Sequence, residues 1–187
     1  MTPNHPCSKM KQGLWITWLS FRLEFLLFWP NLHLESTVVI TSSQEERAQG
    51  PILPEIAAIL PEAFAARVKR PGVVNAWAYP DFHKAVLATG RKNLIMAGVT
   101  TDICLLFPAI DAAKEGFGVQ AVMDASGSPS VLSEEFSRQR MHDAGVVLTA
   151  TNTLMAEIAQ DWSTPTGQQL ITLLFTDVFP AIGVSIA

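Results

Sequence analysis

Hydrophobic residues along this chain come in blocks, and two kinds of block take turns. One kind is short, unbroken and rich in β-branched or aliphatic residues: residues 36–41 (Ser-Thr-Val-Val-Ile-Thr), 94–97 and 119–123, with briefer versions at 67–70 and 146–148. Such runs lack the alternation of a strand with one wet face, so they predict strands covered on both sides. The other kind is longer and repeats its apolar positions every three or four residues, which predicts amphipathic helices. These are residues 54–60 and 61–66, a helix from Asp81 with Phe82, Ala85, Val86 and Ala88 on one side, and residues 104–113, 133–144, 151–162 and 166–179. Strands alternating with helices at this spacing predict an α/β fold: a Rossmann-like, doubly wound parallel sheet flanked by helices.

Turn and cap residues support these boundaries. Pro54 and Pro61 suit first helical positions, Thr89-Gly90 and Gly116 close helices, and Ser133 is placed to cap the helix it begins. Pro71-Gly72 makes a turn into a loop, residues 73–79, that holds Asn75 and Trp77. Residues 42–50 are charged and turn-rich, and they follow the carboxyl end of a strand, where the functional loops of α/β proteins lie.

The front of the chain differs. Residues 1–12 are polar, with Pro3 and Pro6, and predict a loose start. Residues 13–29 are strongly apolar, carry three of the five tryptophans, follow Lys9 and Lys11, and stop at Pro30. That order resembles a signal peptide or membrane anchor, but Arg22 and Glu24 interrupt it and no small-residue cleavage site follows. An amphipathic or core helix is the preferred reading and an anchor the competing one. The chain therefore divides into an atypical apolar segment, residues 1–32, and an α/β domain, residues 33–187.

Composition narrows the function. At 187 residues the chain has the length of one domain, and 49% hydrophobic with 16% charged residues excludes disorder. A net charge of -4 without a lysine or arginine cluster argues against nucleic acid or an anionic membrane as the main partner. Cys7 and Cys104 make no disulfide framework, and His5, His33, His83 and His142 are scattered, so neither a metal nor an organic cofactor is expected and a reducing, cytoplasmic setting fits. The apolar stretch 170–186 predicts a contact surface, hence a homo-oligomer.

Candidate chemistry centres on residues 94–104, Leu-Ile-Met-Ala-Gly-Val-Thr-Thr-Asp-Ile-Cys, a strand running into a helix. In a parallel sheet ligands gather beyond the carboxyl ends of the strands. A cysteine in the first turn of the following helix feels the positive end of the helix dipole, which favours a nucleophilic thiolate. Its alternative is a small buried hydrophobe. Neighbouring strand ends deliver Arg70 with Asn75 and Trp77, Thr100 to Cys104, and Asp124 to Ser126. A cation beside the thiol would stabilise its charged form, and free N–H groups at the helix start would receive an oxyanion. Each residue also has an ordinary role: Arg70 pairing with Asp81, Asn75 holding its loop, Trp77 in the core, Asp102 capping the helix, Asp124 shaping its turn.

Together, Gly98-Val-Thr-Thr-Asp-Ile-Cys104, Phe107-Pro-Ala109, Glu115-Gly-Phe117, Asp124-Ala-Ser-Gly127 and Arg70-Pro-Gly-x-x-Asn75-Ala-Trp77 resemble the isochorismatase-like cysteine hydrolases, in particular the YcaC-type branch, over roughly residues 34–165. The resemblance implies hydrolysis of a small amide or related carbonyl substrate by an oligomeric enzyme. It implies Cys104 as nucleophile, Arg70 at the family's basic position, where lysine is commoner, and a cis peptide joining Val99 and Thr100. Asn75, Trp77 and Thr100 would line the substrate pocket. The family's third member is an aspartate closing the first strand, and this sequence has no aspartate before Asp81. Glu24 and Glu45 are the substitutes considered. A relative that binds small molecules or serves as an oligomer subunit without turnover is the alternative.

Overall fold

A computed structural model describes residues 37–181; the readings for residues 1–36, including the apolar segment 13–29 and Glu24, and for residues 182–187 lie outside it. Among the described residues five short strands carry the architecture: β1 (Thr41–Ser43), β2 (Val68–Arg70), β3 (Asn93–Met96), β4 (Gly118–Val122) and β5 (Val147–Thr149). All pairings are parallel, as their apolar runs predict, but they form two ladders, β1–β2 and β3–β4–β5. Helices connect successive strands within each ladder, as an α/β fold requires. One apolar cluster joins them: Val39 and Val68 pack with Leu94, Met96, Val119 and Ala121.

The connecting helices are α1 (Pro54–Ile59), α2 (Pro61–Ala65), α3 (Pro80–Ala88), α4 (Leu106–Lys114), α5 (Val131–Asp143), α6 (Thr151–Ala159) and α7 (Pro165–Leu173). Proline stands at the first turn of α1, α2, α3 and α7, where its missing N–H has no helical acceptor to lose. Ala109 and Ala112 of α4 and Met141 of α5 are fully buried in the cluster that covers the sheet.

Four boundaries depart from the residue pattern. The first strand lies later than residues 36–41: its apolar residues Val38, Val39 and Ile40 pack into cores, while ladder pairing is confined to Thr41–Ser43. Hydrophobicity reports burial, and pairing decides the strand. Helix α5 starts at Val131, capped by Ser130, whose Oγ accepts from the Ser133 N–H at 3.1 Å; Ser133 is the residue capped, not the cap. Helix α6 stops at Ala159, ahead of Gln160 in the left-handed φ region, rather than at Trp162. The last predicted helix is α7, continued by a π-helical turn (Leu174–Val178) into Phe179–Ala181. Its Leu170, Leu174 and Val178 pack on Met155 and Ala159 of α6, so these residues of the stripe read as an oligomer contact are covered within the chain, while its part beyond residue 181 lies outside the described residues. No helix among the described residues is long and apolar enough to cross a membrane.

Candidate active site

The strand ends meet as expected around one turn. Beyond β3, Gly98 and Val99 lead through a cis Val99–Thr100 peptide into a π-helical turn, Thr101–Leu105, which carries Cys104 and runs into α4. The sequence predicted a plain helix from Cys104. In the structure the N–H groups of Ile103, Cys104 and Leu105 all converge on the Thr100 carbonyl, at 3.4, 2.8 and 3.2 Å, and Thr101 N donates to Gly127 O at 3.0 Å. These four amides are therefore occupied, which corrects the expectation that the helix start offers them to an oxyanion.

The loop after β4 holds this turn in place. Ser126 Oγ accepts from Gly98 N at 3.1 Å and donates to Val122 O at 2.9 Å, and Gly127 pairs with Val99. Asp124 reaches the other way: its Oδ1 accepts from Thr151 N and Thr151 Oγ1, both at 2.9 Å, capping α6 from across the sheet. Asp102 does not cap, because no side chain bonds the first amides of the turn. Its Oδ1 is buried without a hydrogen-bond partner among the described residues.

Arg70 ends β2 and is only 5% exposed. Its partners are the Thr41 Oγ1, which accepts from Nε at 3.1 Å, and the carbonyls of Val73 and Val74, which accept from Nη1. The Asp81 pairing is absent from this set. Burial pushes the Arg70 pKa down, and the nearby Cys104 side chain pushes it back up. A buried cation and a half-buried free thiol thus stand together at the rim.

Asn75 and Trp77 do structural work on this side of the sheet. Asn75 Oδ1 accepts from Trp77 N at 3.0 Å, starting a short 3-10 turn (Ala76–Ala78), and its Nδ2 donates to Asp111 Oδ2 at 2.6 Å. The Trp77 ring is 7% exposed, edge-on to His83 and Phe117, with its indole N–H on Glu115 Oε2 at 2.8 Å. That indole N–H holds the Glu115 carboxyl below its usual range, helped by His83 and Lys92. Thr100 serves through its carbonyl as the hub of the nucleophile turn.

The loop after β1 supplies what residue types alone did not reveal. Gln44, at φ 51°, donates its N–H to Arg70 O at 3.0 Å, and its own carbonyl collects the N–H groups of Arg47, Ala48 and Gln49. The loop so folded forms, with the ends of β2, a cavity of about 380 Å³ lined by Gln44, Glu45, Arg47, Lys69, Arg70, Pro71 and Tyr79. Glu45 is bound by Arg67 in a two-pronged contact, 2.7 and 3.1 Å, with Lys69 at 3.4 Å. Arg67 and, less, Ser42 hold its carboxyl down at about 2. Glu45 is thereby held as a carboxylate in an ion pair with Arg67 and Lys69. The legible signal for this cavity was the position of loop 42–50 at a strand's carboxyl end.

With this geometry in hand, comparisons with known proteins place the chain. The sequence model of the isochorismatase domain matches residues 39–153. The chain is 41% identical over 124 residues to the protein named Probable hydrolase YcaC of Escherichia coli (strain K12), covering 66% of this chain and 59% of that protein, so it spans about three fifths of that relative's length. In structure it resembles YcaC from Pseudomonas aeruginosa with hexane-2,5-diol and covalent acrylamide, at 31% identity and a TM-score of 0.75 over 98% of this chain and 82% of that one. It also resembles the Escherichia coli YcaC gene product, described as an octameric hydrolase of unknown specificity, at 32% identity and a TM-score of 0.79 over 91% and 86%. Sheet, cis-peptide turn and matched residues agree: this chain belongs to the isochorismatase family.

Proposed function

We propose that this chain hydrolyses a small amide or related carbonyl compound through Cys104. The observation that carries the reading is the pairing of a free thiol with the buried Arg70 guanidinium at the carboxyl rim of a parallel sheet. A desolvated cation favours the thiolate, the form of cysteine that attacks. The thiolate adds to the carbonyl carbon, the C–N bond breaks, and the nitrogen leaves as an amine with a proton drawn from water. Water then cleaves the thioester, releasing the acid and restoring the thiol. Arg70 would stabilise negative charge that develops on the carbonyl oxygen. Arginine cannot serve as the base, since its guanidinium stays protonated at neutral pH. The Pseudomonas aeruginosa relative supports the reading, for it carries covalently bound acrylamide, an electrophile that thiolates capture. Assembly as a homo-oligomer is part of the proposal, by analogy with the octameric Escherichia coli relative.

Labelling tests it. Iodoacetamide at neutral pH should modify Cys104 in the native chain faster than in the denatured chain, and Cys104→Ser should abolish hydrolysis across a panel of small amides. Equal labelling rates in the two states would sink the nucleophile assignment. The commitment of Glu45 to Arg67 favours a second reading, a binder that keeps the pocket without turnover. Fast labelling together with no hydrolysis of any amide, in a chain that still binds them, would select it.

A further inference from the structure

We infer that the gap between β1 and β3 is a docking slot for one more strand, and that its occupant is this chain's own residues 14–19. The two ladders run β2–β1 and β3–β4–β5, all parallel. The backbone neighbours of β1 are in β2 and those of β3 in β4, and β1 and β3 do not lie side by side. Both ladders nevertheless serve one core, because Val39, just ahead of β1, and Leu94 and Met96 of β3 pack into the same apolar cluster. Each strand therefore turns toward the other an edge of N–H and C=O groups with no ladder partner among the described residues. A doubly wound sheet of order 3-2-1-4-5-6 has the same two halves with a single strand between them, and that strand comes first in the chain. The open position belongs to residues ahead of β1.

The faces beside the gap point the same way. Side chains alternate along a strand. On the face away from Leu94 and Met96, Val38 and Ile40 pack with α1 and α2, and Ala97 and Val122 pack with α6. Ile95 shares that face, belongs to neither group and is 43% exposed. Its register partner Gln120 has an Oε1 buried without a hydrogen-bond partner among the described residues. A right-handed crossover from the gap to β1 runs in the same sense as the one from β1 to β2, so it lies on the face of α1 and α2, over Ile95. Residues 14–19, Leu-Trp-Ile-Thr-Trp-Leu, are apolar with one threonine among them and rich in aromatic and β-branched types, as a strand covered on both faces requires. Residues 20–40 exceed the roughly twelve that a parallel crossover needs. Periodicity alone reads this segment as a helix; two open edges favour the extended form, because a buried N–H or C=O needs a partner.

The test uses the full chain. Backbone amide exchange is followed at Thr41–Ser43 and Asn93–Met96, where the amides on the edges away from β2 and β4 should exchange at least about a hundredfold slower than in the unfolded chain. Exchange of those amides at the unfolded rate, while the ladder amides of the same strands stay protected, overturns the filled slot without any substitution. Crosslinking then identifies the occupant. In a chain carrying Cys7→Ser and Cys104→Ser, Ile95→Cys is combined with cysteine in place of each of residues 14–19 in turn and oxidised at high dilution, since neighbouring strands hold their Cα atoms within disulfide reach. At least one pair should close within a chain, giving a single chain that migrates faster on a non-reducing gel. Crosslinks formed only between chains assign the slot to a second copy and overturn the occupant proposed. Protected edges with no crosslink at any of the six positions overturn it as well.

Discussion

At the scale of single residues, the site is built from charges held in fixed company. Glu45 shows how strongly company matters. Its carboxyl is brought from 4.5 to about 2 chiefly by the Arg67 contact. A carboxyl whose folded pKa lies below its unfolded value binds fewer protons in the folded state, so its contribution to stability is complete above the unfolded value and disappears as pH falls toward the folded one. Stability should therefore decline between about pH 4.5 and pH 2 with a part that belongs to Glu45. Urea titrations across that range should show a shallower decline for Glu45→Gln than for the unsubstituted chain; identical slopes would mean that the Arg67 contact contributes nothing in solution. Arg70 is the counterpart, a buried cation whose hydrogen-bond acceptors among the described residues are a hydroxyl and two backbone carbonyls. Arg70, Cys104 and Thr100 each sit at a strand end or at the turn that follows one, which is what made them legible in the sequence. Asn75 and Trp77, read as substrate-lining, are hydrogen-bonded to Asp111 and Glu115 of the α4 region. Those acids are 36 and 38 positions away, a separation at which residue type says nothing about contact.

At the scale of elements, the three residues Asp124, Ser126 and Gly127 explain how a short loop can hold a nucleophile. Ser126 and Gly127 bind Gly98 and Thr101 on the β3 side, while Asp124 caps α6 on the β5 side. The loop is thus a clasp between adjacent strand ends. Removing a cap of this kind typically costs about 1–2 kcal/mol. Asp124→Ala should accordingly lower the urea midpoint, and Asp124→Asn, which keeps an acceptor oxygen for the Thr151 N–H and hydroxyl, should recover most of the loss. An alanine variant with an unchanged midpoint would show that water replaces the carboxylate without penalty. The motif read as a turn was correctly placed in the sequence, but its two-sided role depends on which elements flank it.

At the scale of the whole molecule, apolar surface is left uncovered. Val131, Leu132 and Phe136 of α5 are 76%, 61% and 61% exposed, and Ile103, beside the nucleophile, is 43% exposed. Helix α5 also packs against the turn that carries Cys104. Large apolar residues gathered on one side mark a contact surface more often than chance exposure does. Equilibrium sedimentation at micromolar concentration should give a mass that is a multiple of 20.4 kDa, and Phe136→Glu should shift it toward the single chain. A single-chain mass for the unsubstituted protein would remove the oligomer from the proposed function. The sequence pointed instead to residues 170–186, whose described apolar side chains mostly pack on α6.

The sequence by itself determined the parallel α/β class, the order of elements and the strand-to-helix turn that bears Cys104. These follow from periodicity, proline and glycine placement and local motifs, all of which act over a few residues. Tertiary structure alone decided the rest. It confined β1 to Thr41–Ser43, coiled the nucleophile turn onto the Thr100 carbonyl, and joined loop 44–49 to β2 as a cationic cavity. It also bound Glu45 to Arg67 and set Arg70 near Cys104. Each of these depends on residues distant in the chain meeting at a strand end, and the ionisation of a carboxyl or guanidinium is set by those neighbours rather than by its own identity.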